Sequence, residues 1–307
     1  MKPIKLKPAV KDYIWGGTRL RDEYGIETDL NPVAEAWVLS CHKDGESVAL
    51  GGEFDGMPLS RIIEKCGADI LGEKAKKFDF FPILVKLIDA KGNLSIQVHP
   101  SDEYALEHEG QYGKTEMWYV VDCDEGASLY YGFKEKISKE EFKTRIENDT
   151  ILEVLNKVPV KKGDCFFIES GTIHAIGEGL LIAEIQQNSN LTYRVYDYGR
   201  VGADGKPREL HVEKALKVTT LDKPTHKYGK VDSNLLASCK YFTSELLDVN
   251  GTAKITVAAD SFVSFICLEG KGEIEGVEFK KGESIFIPAN SGEVTVIGNA
   301  KLILSKV

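Results

Sequence analysis

The sequence predicts a mainly β protein, built as two jelly-roll β-barrels with short helical insertions. Three observations predict it. Short segments rich in β-branched and aromatic residues, punctuated by glycine, asparagine or proline, fill most of the chain. Twenty-nine glycines against three methionines suit a turn-rich β fold better than a helical bundle. The third observation is an internal repeat. Residues 160–168 read Val-Lys-Lys-Gly-Asp-Cys-Phe-Phe-Ile, and residues 279–287 read Phe-Lys-Lys-Gly-Glu-Ser-Ile-Phe-Ile. Each follows an apolar segment that ends in an acidic, glycine-containing turn, at 117–126 and 262–272. Strand, turn, strand, Lys-Lys-Gly-acid, strand is half of a jelly roll, and its double occurrence points to duplication.

Taken in order, the predicted strands are 82–89, 94–99, 116–121, 164–168, 180–187 and 191–196. Two stretches carry helical spacing instead. Over 59–77, Ile62, Ile63, Cys66 and Ile70 recur at three- and four-residue steps. Over 138–158, Ser138 with Glu141 three residues on forms a capping-box pattern. The apolar residues Phe142, Ile146, Ile151, Leu152 and Leu155 then predict two short helices broken near Asn148 and Asp149. A third short helix is predicted over 212–221. The segment 223–232, with Pro224 and Gly229, is the expected boundary between a first domain, 1–225, and a second, 226–307.

A chain of 307 residues has room for two such domains. Its formal net charge of −9 argues against a nucleic-acid partner, because a phosphate backbone would be repelled. A small anionic substrate is still compatible, since a pocket can be locally basic. Cys41, Cys66, Cys123, Cys165, Cys239 and Cys267 lie far apart with no C-x-x-C pair, so neither a disulfide framework nor a thiolate zinc site is expected. The N-terminal residues lack the apolar core of a signal peptide, and no apolar stretch approaches the roughly 20 residues that span a bilayer. A cytoplasmic location without a membrane partner is the expectation, and nothing in the sequence requires more than a monomer.

In 93–100, Asn-Leu-Ser-Ile-Gln-Val-His-Pro, strand alternation puts Leu94, Ile96 and Val98 on one face and Ser95, Gln97 and His99 on the other. A polar face can simply meet solvent. Here other groups with ligand chemistry occupy analogous places. Glu116 opens a strand with Lys114 two residues earlier, and His174 follows the Lys-Lys-Gly-Asp strand closely. His99, Glu116 and His174, with the Gln97 carbonyl as a fourth donor, form a set suited to a borderline metal such as zinc. His42, His108, His211 and His226 lack such company and read as structural or surface residues.

Six segments carry a family resemblance: Tyr13-Ile-Trp-Gly-Gly, Ala34-Glu-Ala-Trp, Leu94-Ser-Ile-Gln-Val-His-Pro, Lys114-Thr-Glu-Met-Trp-Tyr, Ser170-Gly-Thr-Ile-His-Ala and Asn190-Leu-Thr-Tyr-Arg-Val-Tyr-Asp. Together and in this order they resemble the type I mannose-6-phosphate isomerases, in particular the short bacterial members, over nearly the whole chain. The resemblance implies a double cupin. It also implies one zinc ion per chain on Gln97, His99, Glu116 and His174, and a catalytic arginine at Arg194. Glu184 matches an acidic residue of the pocket, and Trp15 and Glu35 fall in motifs resembling pocket walls. Glu169 departs from the proline common in such a strand. The second roll keeps Pro288 but has Glu293 where a metal histidine would fall, so it is expected to be metal-free. The large helical insertion of longer members is absent.

The implied reaction interconverts mannose 6-phosphate and fructose 6-phosphate, moving a proton between C2 and C1 through a cis-enediol. Zinc would stabilise the developing negative charge, and a well-placed cation such as Arg194 would add on the order of 3 kcal/mol. A salt bridge from Arg194 to Glu184 or Asp197 is the structural alternative. Lys86 lies within the apolar run Ile-Leu-Val-Lys-Leu-Ile, so it needs either a fixed anionic partner or a pocket that receives an anion, and the pocket is the favoured reading. Ser95 and Lys114 are the other candidates for binding the sugar phosphate. The general base is open among Glu184, a lysine and a zinc-bound water. A non-haem iron cupin dioxygenase and a non-catalytic sugar-phosphate-binding cupin are the rival readings.

Overall fold

The strands Ile83–Ala90 and Leu180–Gln187 are buried at all eight positions, so both of their faces must be covered by other layers. In the computed structural model, which describes residues 1–202 and 205–307, these strands sit at the centre of a seven-stranded antiparallel sheet. Its order is Gly229–Lys230, Asp164–Ile168, Glu116–Cys123, Leu180–Gln187, Ile83–Ala90, Glu35–Leu39 and Ala9–Lys11. One face packs against a five-stranded sheet ordered Leu155–Pro159, Ser128–Phe133, His174–Ala175, Ile96–Val98 and Tyr193–Tyr196. Ile88, Trp118, Val120, Phe166 and Ile182 form the apolar part of that interface.

The opposite face presents Ile83, Val85, Leu87, Met117, Leu181 and Ile185. These join one core with Phe242, Phe262, Ile266, Phe286 and Ile303 of the C-terminal region. That region forms an eight-stranded sheet dominated by the long strands Thr243–Val257, Val263–Ile274 and Gly292–Lys306. The sheets exchange strands across position 225. Ile4–Lys7 pairs with Ser284–Ile287 in the C-terminal sheet, and Gly229–Lys230 pairs with Asp164 and Cys165 in the N-terminal one.

The chain is thus mainly β with few helices. Every sheet ends in edge strands, and no sheet closes into a barrel among the described residues. No helix among them is long and apolar enough to cross a membrane. The duplicated segments occupy equivalent places. Asp164–Ile168 pairs with residues 116–119 and Ser284–Ile287 with residues 263–266. The Gly163 amide donates to the Val120 carbonyl and the Gly282 amide to the Cys267 carbonyl, both at 2.8 Å.

The predicted strands lie where expected, within two residues at each end. The helices differ. The stretch 59–77 is one helix, Leu59–Cys66, followed by two 3-10 turns, because Gly67 (φ 88°) and Gly72 (φ 87°) take a backbone geometry no helix contains. Ser138 caps Lys139–Glu147, its hydroxyl accepting from the Glu141 amide at 3.0 Å. Beyond the break, Asp149 has φ 56° and only a 3-10 turn, Ile151–Glu153, follows. Residues 155–159 are a strand rather than helix, since Leu155 and Val158 pair with residues 129–133 of the five-stranded sheet. The third helix stops at Val218.

The two repeat glycines should respond differently to substitution. Both have φ near +90°, but a Cβ on Gly282 would stand 2.4 Å from the Tyr24 carbonyl, while one on Gly163 would meet only the Tyr119 hydroxyl at 3.9 Å. In urea unfolding, Gly163→Ala is expected to lose about 1 kcal/mol from backbone strain alone, and Gly282→Ala clearly more.

Candidate metal centre and charged cleft

Antiparallel registry brings the predicted polar residues together. Gln97 lies opposite His174 on one side of its strand and opposite Arg194 on the other. Glu184 lies between Lys86 and Trp118, and Glu116 is opposite Gln186. Residues paired across strands share a face, so the seven-stranded sheet directs Lys86, Glu116 and Glu184 toward the five-stranded sheet.

His99, Glu116 and His174 offer ligand atoms that all lie within 4.8 Å of one another, and each side chain is at most 1 % exposed. The two Nε2 atoms are 3.2 Å apart, and His174 Nε2 is 3.4 Å from Glu116 Oε1. Each Nδ1 stands 2.8 Å from a backbone carbonyl, of Leu191 for His99 and of Thr172 for His174. A carbonyl can only accept, so each Nδ1 carries the proton and each Nε2 presents a lone pair. Neither Glu116 oxygen receives a well-formed hydrogen bond, although the Lys114 ammonium stands 2.5 Å from Oε2 and 3.2 Å from His99 Nε2. Two neutral imidazoles and a carboxylate, with orphaned lone pairs converging in a buried place, fit a divalent cation. Gln97 Nε2 is 3.4 Å from His174 Nε2, so a half-turn of the amide would present its oxygen to the same point.

Burial pushes the pKa of His99 well below the ordinary value and that of His174 down to about 3, with the Lys114 charge adding to both. Burial, reinforced by Glu184, raises Glu116. Burial would raise Glu184 as well, but Lys114 and Lys86 outweigh it and hold this carboxylate low and ionised. For Lys86, burial is outweighed by Glu35, Glu184 and Glu116, leaving it charged with a pKa of about 12.

Above this floor opens a cleft of about 250 Å³ whose wall includes Trp15, Glu35, Lys86, Ser95, Gln97, Lys114, Glu184 and Arg194. Every candidate substrate residue therefore borders one cavity, and the three buried metal candidates lie behind it. Lys86 meets both halves of the alternative posed for it. It lies 3.2 Å from Glu184 and 3.5 Å from Glu35, and it lines the pocket. Arg194 makes neither of the salt bridges considered. It donates to the Glu209 carbonyl at 2.9 Å, and Asp197 is taken by Arg200 and Arg208. His42, His108, His211 and His226 lie outside the ligand cluster.

The sequence reading missed five residues. Arg208 and Thr192 also line the cleft. Trp37 and Trp118 donate their indole N–H to Glu35 (2.6 Å) and Glu184 (2.9 Å), fixing both carboxylates. His211 Nδ1 accepts from the Arg194 amide at 3.1 Å. The two tryptophans could have been found from strand alternation, since each sits two residues from a site carboxylate. Nothing local marks Arg208 or His211.

Residues 4–125 match the family model described as the catalytic domain of type I phosphomannose isomerase, and residues 232–307 match that of the mannose-6-phosphate isomerase cupin domain. Fold and site thus define a class: a mainly β protein with a cupin domain and a candidate metal centre beside a charged cleft. Among relatives, the mannose-6-phosphate isomerase ManA of Bacillus subtilis is 39% identical over 316 residues, spanning 99% of this chain and 98% of its own. The mannose-6-phosphate isomerase of Streptococcus mutans is 37% identical with the same coverage. The crystal structure of the mannose 6-phosphate isomerase from Bacillus subtilis superposes with a TM-score of 0.91 at 36% identity, covering all of both chains. This chain belongs to the type I phosphomannose isomerase family.

The buried histidines give a pH prediction for protein stripped of metal by a chelator. His174 titrates at about 3 when folded, against about 6.5 in an unfolded chain, and His99 shifts the same way. Between those values the unfolded state binds more protons, so this stability is present above pH 6.5 and is lost as pH falls. The raised Glu116 has the opposite sign below about pH 7 and offsets one of the two histidines, so urea midpoints should drop between pH 6.5 and 5, and His174→Gln should flatten that slope.

Proposed function

We propose that this chain is a zinc-dependent aldose-ketose isomerase that interconverts mannose 6-phosphate and fructose 6-phosphate through a cis-enediol. The observation that carries the reading is the buried His99, Glu116 and His174 cluster behind a cleft walled by Lys86, Lys114 and Arg194, in a chain of this family. The full-length relatives named mannose-6-phosphate isomerase support the substrate assignment.

On this reading His99, Glu116 and His174 hold the zinc, with Gln97 as a fourth ligand. Bound there, zinc would supply Lewis-acid stabilisation of the negative charge that develops on the sugar. The chain's own groups do the rest. Arg194, permanently charged and without a carboxylate partner among the described residues, adds a planar cation opposite the developing oxyanion. Glu184 stays ionised between Lys86 and Lys114 and is placed on the cleft wall to take the proton from C2 or C1. Ser95, Lys86, Lys114, Trp15 and Glu35 bind and orient the sugar phosphate. The domain assignment on this reading is a catalytic cupin unit, 1–225, and a metal-free cupin unit, 226–307, each a jelly roll, in a cytoplasmic enzyme.

A dioxygenase would use the same two histidines and one carboxylate with iron. That alternative leaves the alternating lysines and carboxylates of the cleft without a purpose, and family membership counts against it. A binding protein without turnover would share the cleft but not need an arginine on its wall that has no carboxylate partner among the described residues.

Zinc-loaded protein incubated with fructose 6-phosphate should yield mannose 6-phosphate, and an Fe(II)-loaded sample should consume no oxygen. Zinc shown bound with no product would sink the proposal. Arg194→Ala should lower kcat by roughly a hundredfold, as expected when one transition-state donor is removed, with zinc content unchanged.

A further inference from the structure

A hydrogen-bond relay from the C-terminal region, beginning at Tyr241, runs toward the segments that carry the candidate metal ligands. The Tyr241 hydroxyl donates to Asp102 Oδ2 at 2.6 Å. Asp102 Oδ1 accepts from Gln187 Nε2 at 2.7 Å and from the Gly113 amide at 2.9 Å. Gln187 in turn accepts the Thr115 amide on its Oε1 at 2.8 Å. Tyr241 is 7 % exposed and Gln187 1 %.

The placement of the relay's two ends matters more than its length. Asp102 is three residues beyond His99, on the first turn of Asp102–Glu109. Thr115 lies between Lys114 and Glu116, and its hydroxyl also receives the Ser170 amide at 3.3 Å, on the approach to His174. The Lys114 amide donates to the Pro100 carbonyl at 3.1 Å, and a Cβ on Gly113 would collide with Ser101 and Asp102. The segments carrying His99 and Glu116 therefore run in close contact, and Asp102 and Gln187 fasten them. Both relay side chains are engaged at each polar atom: Gln187 through its oxygen and its nitrogen, and Asp102 through Oδ2 and through Oδ1, which Gln187 and Gly113 share. Gln187 can present its oxygen to Thr115 only while its amide nitrogen faces Asp102, and the second oxygen of Asp102 accepts from Tyr241.

We infer that Tyr241 is a positioning residue for the metal-binding side chains His99 and Glu116, acting through Asp102 and Gln187. The inference rests on the isomerase reading above for its catalytic consequence, but not for its consequence on metal affinity. It gives the metal-free unit a direct part in the site, across 139 residues of sequence.

The test compares full-length wild-type protein with Tyr241→Phe, Gln187→Met, the double variant, and Tyr24→Phe as a buried tyrosine outside the relay. Zinc affinity is read by chelator competition, ligand geometry by the visible spectrum of cobalt-substituted protein, and kcat and KM with fructose 6-phosphate. Tyr241→Phe should bind zinc roughly tenfold more weakly, the size typical for losing a partner behind the ligands, with an altered cobalt spectrum. It should lower kcat with little change in KM, while Tyr24→Phe leaves all four readings unchanged. Gln187→Met should match it, and the double variant should be no worse than the poorer single one, because both cut the same relay.

Wild-type zinc affinity and cobalt spectrum in Tyr241→Phe would overturn the inference, as would additive losses in the double variant. A Tyr241→Phe protein that does not fold leaves the decision to Gln187→Met, where unchanged zinc affinity likewise overturns it. If wild-type protein binds zinc but does not isomerise the sugar, the isomerase reading fails and the affinity comparison still decides the role of Tyr241.

Discussion

Three hydrogen-bond acceptors forced together out of water are the constraint around which the N-terminal sheets are arranged. His99 and His174 each give their one ring proton to a backbone carbonyl, which leaves two lone pairs 3.2 Å apart beside a carboxylate with no exposed surface. In a medium of low dielectric such a cluster repels itself, and the cost of leaving it unpaired is several times that of an ordinary unmade hydrogen bond. Lys114 relieves part of it, reaching His99 and Glu116 but not His174. A divalent cation would satisfy all three at once. The cluster exists only because the strands bearing it are held by long ladders elsewhere, the eight-residue pairing of Ile83–Ala90 with Leu180–Gln187 above all.

From that cluster a line of alternating charge runs outward along one face of the sheet. Glu116 lies 2.5 Å from Lys114, Lys114 3.5 Å from Glu184, Glu184 3.2 Å from Lys86 and Lys86 3.5 Å from Glu35. All five groups are buried. Such a line is weak evidence of stability, since well-packed apolar residues could do as well or better. Removing one member, however, leaves its neighbours charged and unpaired. Its value lies in pre-orientation, because each lysine is locked by carboxylates on both sides and the tryptophan N–H groups lock Glu35 and Glu184. Arg194 stands apart from the line with a carbonyl as its partner, and among the described residues no carboxylate neutralises it.

How much of this was legible depended on the distance over which each feature is determined. Strand alternation is local, so the common face of Ser95, Gln97 and His99 could be read directly, as could the Ser138 cap. The meeting of His99 with Glu116 and His174 depends on inter-strand register. No single segment states that register, and it was anticipated only because several ligand-type residues kept company in a recognisable order. Helical spacing misled where backbone chemistry overrode it, at Gly67 and Gly72. It misled again at 155–158, where an apolar i, i+3 pair was serving a strand whose partner lies some 25 residues upstream. Arg208 and the Tyr241 hydroxyl were invisible because each reaches its partner through the course of a loop or the packing of a remote sheet.

The burial of the charged line explains why a second β unit with no cluster of its own accompanies the first. A strand that turns Lys86 and Glu184 toward a cleft must turn Val85, Leu87, Ala183 and Ile185 the other way, because side chains alternate. Exposed, that apolar face would leave the sheet one layer short of a core and admit water to the strands that carry the ligands. Phe242, Phe262 and Phe286 cover it, and Ile4–Lys7 crosses from the first residues of the chain into the covering sheet, which ties the two layers together. Full desolvation of Lys86, Glu116 and Glu184 thus depends on apolar packing behind their sheet as much as on the polar groups in front. The covering unit shapes the electrostatics of the cleft without touching it.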